Sequence, residues 1–310
     1  MSARRGVQAG VTLITAVLVL TGCELTEVTT TAAEDVIVVE ALLQRRDDLG
    51  GNPSTLTVFL HRTLSGDQGL NLPVQGADVR VIRADGTELP LESAPIQRCV
   101  VNTPVQGTGS CYEAMPSQVR GINPGETITL RVRAATGEVM EAVSVVPGAF
   151  DLRTTPDRST CLLAPDRPIE LLWTQSQGAW AYLNETSIRD LPAALTDVDP
   201  LDLLGLSISA SDTTIVFPGE FGIFDRGDLD QDLALALQKG LPAGSRAQVS
   251  IAAVDRNYVN WVRGGNFNPS GVVRVPSVRG DGTGFFGTGV VLTFDVVTTG
   301  DFPACTAFGG

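Results

Sequence analysis

Four aspartates, Asp225, Asp228, Asp230 and Asp232, crowd one short stretch of this chain, and alternating carboxylates are raw material for a calcium site. An EF-hand loop starting at Asp228 needs glycine at its sixth position and glutamate at its twelfth. The chain has Leu233 and Lys239 there. Leu229, Leu233 and Leu237 recur instead at helical spacing. The expectation is therefore a helix over about 228–239, its acids on the free N-terminal amides and the positive end of the dipole, stopped by Gly240-Leu241-Pro242. An irregular calcium site on the same carboxylates is the alternative. His61 is the only histidine, so any Ser-His-Asp arrangement has to use it. No G-x-S-x-G motif accompanies it, and it falls in a run that alternates like a strand. Paired carboxylates can hydrolyse glycosides, but among 35 acidic residues such pairs arise by chance. Gly282-Thr283-Gly284-Phe285-Phe286-Gly287 is glycine-rich without the strand-to-helix transition and lysine of a phosphate loop. A tight turn or bulge with inward rings is the ordinary reading. Exposed rings there would instead give, with Tyr258 and Trp261, a ligand or partner surface. No catalytic residue, resident metal or cofactor is assigned, and a non-enzyme is expected.

The first 23 residues carry chemistry of another kind. Arg4 and Arg5 precede an apolar run from Val7 to Leu20, which ends in Leu20-Thr21-Gly22-Cys23. This is the pattern that bacterial lipoprotein signal peptidases cut just before the cysteine. The run is shorter than the roughly 20 residues that a bilayer crossing requires. Residues 1–22 are thus expected to be a signal peptide and Cys23 the acylated first residue, held on the membrane at about 0.8 kcal/mol per buried methylene. Glu24, rather than Asp, in the next position permits passage to the outer membrane. Residues 23–35, Thr-rich and acidic, read as a lipidated tether.

Removing residues 1–22 takes away two of the 22 basic residues and no acids, so the net charge moves from -13 to -15. Such acidity argues against nucleic acid as a partner, which would need a basic patch. Four cysteines remain, Cys99, Cys111, Cys161 and Cys305. An even number in an exported chain favours disulfides. The preferred pairing is Cys99 with Cys111 and Cys161 with Cys305. Zinc is disfavoured because no pair has C-x-x-C spacing.

The elements that must position these residues are mostly strands. Val36–Leu43, Thr55–His61, Ala77–Arg83, Thr127–Val132 and Val139–Val146 are β-branched or alternating, with turns at Asp85-Gly86, Asn123-Pro124-Gly125 and Thr136-Gly137. Six or seven short strands without a helical period imply a β-sandwich over 36–150. After Pro147-Gly148 and a Pro-containing connection, residues 151–310 read as a second β-rich domain. Its strands are expected at 169–173, 179–188, 206–216 and 290–297, with Trp173 and Trp180 as core anchors and 247–262 of mixed β and aromatic character. The fold class is thus mostly β, two sandwich domains (transthyretin-like or Ig-like, then fibronectin-III-like) with one short helix in the second.

Pro73-Val74-Gln75-Gly76-Ala77-Asp78-Val79 before Asp85-Gly86, then Pro124-Gly125-Glu126 and Thr129-Leu130-Arg131-Val132, resembles the carboxypeptidase regulatory-like, transthyretin-like sandwich. With Leu20–Cys23, Ile37-Val38-Val39-Glu40, Trp173, Tyr182 and Gly282–Gly287, the mature chain is similar to the lipoprotein family called domain of unknown function 4249. The resemblance implies a non-enzymatic outer-membrane lipoprotein, a binding or accessory subunit encoded beside a TonB-dependent receptor or another barrel protein. A purely structural envelope protein is the alternative, and a surface hydrolase a more distant one.

Metabolic palmitate labelling tests the N-terminal reading. Label should enter the wild-type chain and be abolished by Cys23→Ala; label retained in that variant would contradict it.

Overall fold

Ile37, Val39, Ala41 and Leu43 are buried while the residues between them are half-buried, the period-two pattern of a strand with two usable faces. The same alternation builds most of the molecule. The computed structural model describes residues 35–46, 53–63, 73–100, 109–154, 160–207, 209–219, 231–265 and 275–299. In chain order its strands are β1 (Ile37–Arg46), β2 (Thr55–Arg62), β3 (Asp78–Ile82), β4 (Glu88–Pro90), β5 (Glu92–Ala94), β6 (Ser110–Glu113), β7 (Thr127–Arg133) and β8 (Val139–Val145). They continue as β9 (Cys161–Leu163), β10 (Ile169–Leu172), β11 (Ala181–Arg189), β12 (Leu201–Leu206), β13 (Thr214–Phe217), β14 (Arg246–Val254), β15 (Arg279–Gly280) and β16 (Gly282–Thr298). The helices among the described residues are α1 (Pro116–Arg120), α2 (Gln231–Lys239) and α3 (Arg256–Gly265). None is long and apolar enough to cross a membrane.

The fold is mostly β and sandwich-like. Its largest sheet has nine strands, in the order β12-β11-β14-β16-β1-β2-β6-β5, with β9 beside the end of β16. The 17-residue β16 is bonded on both sides. β1 pairs with it in parallel, from Ile37 opposite Gly282 to Arg46 opposite Val291. β14 pairs antiparallel on the other side, from Val254 opposite Gly289 to Arg246 opposite Val297. Strands from both expected domains therefore share one sheet, offset along β16, and the boundary near residue 150 does not interrupt it. From Glu34 onward the chain is one compact unit.

A five-stranded sheet, β15-β8-β7-β3-β4, and a two-stranded one, β10-β13, form the facing layer. One hydrophobic core joins Ile37, Leu60, Val81, Leu130 and Met140 to Leu171, Phe217, Leu237, Ile251 and Leu292. Gly284 shows how closely β16 and β1 approach. Its φ is +126°, and a Cβ there would collide with the Val39 carbonyl, so the glycine-rich stretch serves strand contact rather than a turn.

Several expectations change. The expected helix is present as α2, with Leu233 and Leu237 buried. The 247–262 region divides into a strand and a second helix, α3. Trp173 is buried, but Trp180 is 52% exposed, with the Arg256 guanidinium 5.0 Å from its ring centroid. Cys99 and Cys111 form a disulfide. Cys161 is also disulfide-bonded; its expected partner Cys305 lies outside the described residues.

Asp255, 5% exposed, fastens α3 to both layers. Its Oδ1 accepts the Tyr258 amide at 3.0 Å, an N-cap bond, and the Thr288 amide at 3.1 Å. Its Oδ2 lies 2.8 Å from Ser144 Oγ, which is 2.8 Å from Thr288 Oγ1, itself 3.0 Å from the Val145 carbonyl. Ser144 Oγ donates to Asp255 Oδ2, and Thr288 Oγ1 donates to the Val145 carbonyl. Burial raises this carboxyl above its ordinary value, against the lowering effect of the Thr288 and Tyr258 amides and the Ser144 hydroxyl. A raised acid contributes most below its unfolded value, and that contribution is lost as pH rises through the folded one.

Asn at 255 keeps the Oδ1 acceptor for the Tyr258 and Thr288 amides and carries no buried charge. Asp255→Asn should therefore match or exceed wild-type stability at pH 7 and flatten its fall between acid and neutral pH. Asp255→Ala, which strands the buried partners, should cost about 3 kcal/mol. Denaturant titrations check both; an Asn variant as unstable as the Ala one would show that the fold requires the charged carboxylate.

Candidate functional site

On the nine-stranded sheet, residues of one parity pack into the core and residues of the other look outward. The outward face is apolar in the middle, where Ala181, Leu183, Ala252, Val254 and Val291 meet Val259 and Val262 of α3. Helix α3 is seated there by rings: Trp261 stacks on Phe285 at 4.3 Å between centroids, and Tyr258 lies parallel to Phe285 at 6.3 Å. Past α3 the same face turns polar and opens into a cleft of about 530 Å³.

Strand register sets the floor of this cleft. Glu185 of β11 pairs with Ser250 of β14, which pairs with Thr293 of β16. Arg46, at the end of β1, reaches this row from the other side, donating from Nη1 to Thr293 Oγ1 at 3.1 Å and from Nη2 to Gln44 Oε1 at 3.2 Å. Thr293 and Ser250 share a hydrogen bond of 2.9 Å. A second row holds Asp202, Ser187 and Gln248, and Gln248 donates to Asp295 at 3.4 Å. Thr55 and Arg98 complete the rim. Arg98 is held by a bidentate ion pair with Glu113, and the Cys99–Cys111 disulfide fixes that turn against β6.

Electrostatically the cleft is lopsided. Arg46 stands at one side. At the other, neither the Glu185 nor the Asp202 carboxyl has a hydrogen bond or ion pair among the described residues. Burial raises the Glu185 carboxyl above its ordinary value, Arg46 opposes this, and Asp202 adds to it. The Tyr258 phenol is also pushed up, by burial and then by the Glu185 charge. On the opposite, core-facing parity of β11, the Asn184 amide and the Thr186 hydroxyl are buried without partners.

The residues singled out in the sequence fare unevenly. Tyr258, Trp261 and Phe285 do come together, but as the stack that packs α3 on the sheet. Phe285 is 6% and Phe286 0% exposed, so these rings are no open platform, and Phe286 belongs to the opposite, core face. Asp232 is exposed in the first turn of α2; Asp225, Asp228 and Asp230 lie outside the described residues, as does Cys23. No group of three or more metal-ligating side chains occurs among the described residues. His61 sits beside Phe59, ring centroids 5.2 Å apart, with Nδ1 3.1 Å from the Arg62 carbonyl and no carboxylate ion pair among the described residues. The cleft residues Arg46, Glu185, Asp202 and Gln248 were not singled out. One local signal existed: Asn184-Glu185-Thr186-Ser187 places four polar residues in succession in a strand, breaking the one-sided alternation.

No protein-family model matches the chain, and no curated protein or solved structure is significantly similar to it.

A charge kept desolvated without a partner costs stability. Because its folded value is raised, ionised Glu185 lowers stability as pH rises above its unfolded value of about 4.3. Glu185→Gln should stabilise the protein at pH 7 by on the order of 1 kcal/mol and weaken that pH dependence. A destabilised variant in thermal unfolding would show that the carboxylate serves the fold.

Proposed function

We propose that this chain is a lipid-anchored, non-enzymatic binding protein of the bacterial outer membrane that works as an accessory subunit beside an uptake receptor or another barrel protein. The observation that carries the binding part is the cleft. A polar concavity on a rigid sheet face, with side chains from five strands converging and two carboxylates left unpaired, is the form of a preformed small-ligand site. The anchoring part rests on Leu20-Thr21-Gly22-Cys23 and the tether before β1. Acylation at Cys23 would hold the sandwich near the membrane, where a ligand caught in the cleft meets a transporter at high effective concentration.

Affinity purification of the native lipoprotein from outer membranes, after mild cross-linking, tests the accessory role. A barrel or receptor should be enriched with the wild-type chain and lost with Cys23→Ala. Recovery of the lipoprotein alone would contradict the partner claim.

A further inference from the structure

We propose that the core beneath the cleft contains a water-binding site, a pair of ordered waters held by the side chains of Asn184 and Thr186. Both residues stand on the face of β11 opposite to Glu185 and Ser187, so the site is separate from anything the cleft binds. Asn184 is 6% and Thr186 2% exposed. Yet Oδ1 and Nδ2 of Asn184 and Oγ1 of Thr186 have no hydrogen-bond partner among the described residues. Buried polar atoms are almost always bonded, because taking one out of water without a replacement costs more than a typical hydrogen bond contributes. Two such residues in successive core-facing positions of one strand call for a shared occupant.

The surroundings say what that occupant is. On the strands beside β11, Asn184 faces only Gly205 and Ile251, and Thr186 only Leu203 and Val249, so no side chain across the sheet can close the bonds. Residues two apart on one strand face are about 6.6 Å apart along the backbone, and the threonine hydroxyl is short. Two bonds of about 2.8 Å through one oxygen bridge the gap that remains. The first water therefore joins Thr186 Oγ1 to the nearer amide atom of Asn184. The second takes the other amide atom, which points away, and bonds the first. Each water then has the two to four polar partners that buried waters have. A metal ion does not suit this donor set, a neutral amide and a hydroxyl with no charge to offset its desolvation. The remaining unpartnered buried atom, the indole N–H of Trp173, lies against Tyr182 and lowers its phenol, and needs no water.

A high-resolution crystal structure of the wild-type protein, with thermal unfolding of two variants, tests the site. Two ordered waters should lie within hydrogen-bond distance of Asn184 and Thr186, one of them shared. Thr186→Val, alike in shape but without the hydroxyl, should melt about 2–4 °C lower, the shift that one lost hydrogen bond makes in a domain of this size. Thr186→Ser should keep the shared water. A dry interior predicts the opposite sign for Thr186→Val, because valine then removes an unsatisfied hydroxyl and raises the melting temperature. A wild-type structure with no water on these atoms, or with another side chain bonded to them, would overturn the site. So would a Thr186→Val variant that melts as high as wild type or higher.

Discussion

The structure depends on one strand bonded on both edges. β16 offers its first ten residues, Gly282–Val291, to β1 and nine, Gly289–Val297, to β14, so the beginning of the folded chain and its later half are closed by the same backbone. A parallel pair between segments this distant in sequence requires a long loop to close before any bond forms. Once formed, it removes the free edge that each half would otherwise present. Gly284 is the local requirement, since only a residue without Cβ lets β16 lie this close to Val39. Asp255 is the second fastening, tying α3 to Ser144 of the facing sheet and to Thr288 of β16.

The cleft follows from that closure. Arg46 belongs to the first expected domain and Glu185 to the second, and they face one concavity only because β1, β16, β14 and β11 are consecutive in one sheet. Offset along β16 leaves the far end of its outward face beyond the reach of α3, and the sequence fills it with polar side chains. Side chains on paired strands have little freedom to move apart. The Glu185 carboxyl is therefore a fixed feature of the cleft rather than a mobile surface acid.

Much of the secondary structure was readable locally. Alternation located β1, β2, β3, β7 and β8, the Asp85-Gly86 turn placed β4, and leucine spacing found α2. The Cys99–Cys111 link followed from even cysteine number and proximity. What failed was whatever depends on distant partners. Nothing in the local pattern of Ile37–Arg46 says that it pairs with Gly282 onward, so a boundary near residue 150 was drawn through what is one sheet. Arg256–Gly265 follows directly on a strand and carries Val, Trp and Tyr, so β character masked the helix that Asp255 caps. Phe285 and Phe286 were known to be neighbours in sequence but not that their sheet has two covered faces. Of the candidate site, only the polar run 184–187 was legible, because the rest of the cleft is register rather than motif.

Hydrogen exchange of the purified chain under increasing denaturant tests the central claim directly. If β16 makes one cooperative sheet of the two halves, amides of β1, β2, β11 and β14 should open in a single step with the same free energy as global unfolding. First-half amides that stay protected after β11 and β14 have exchanged would contradict it, because the halves would then fold as separate sandwiches and the cleft would have no common floor.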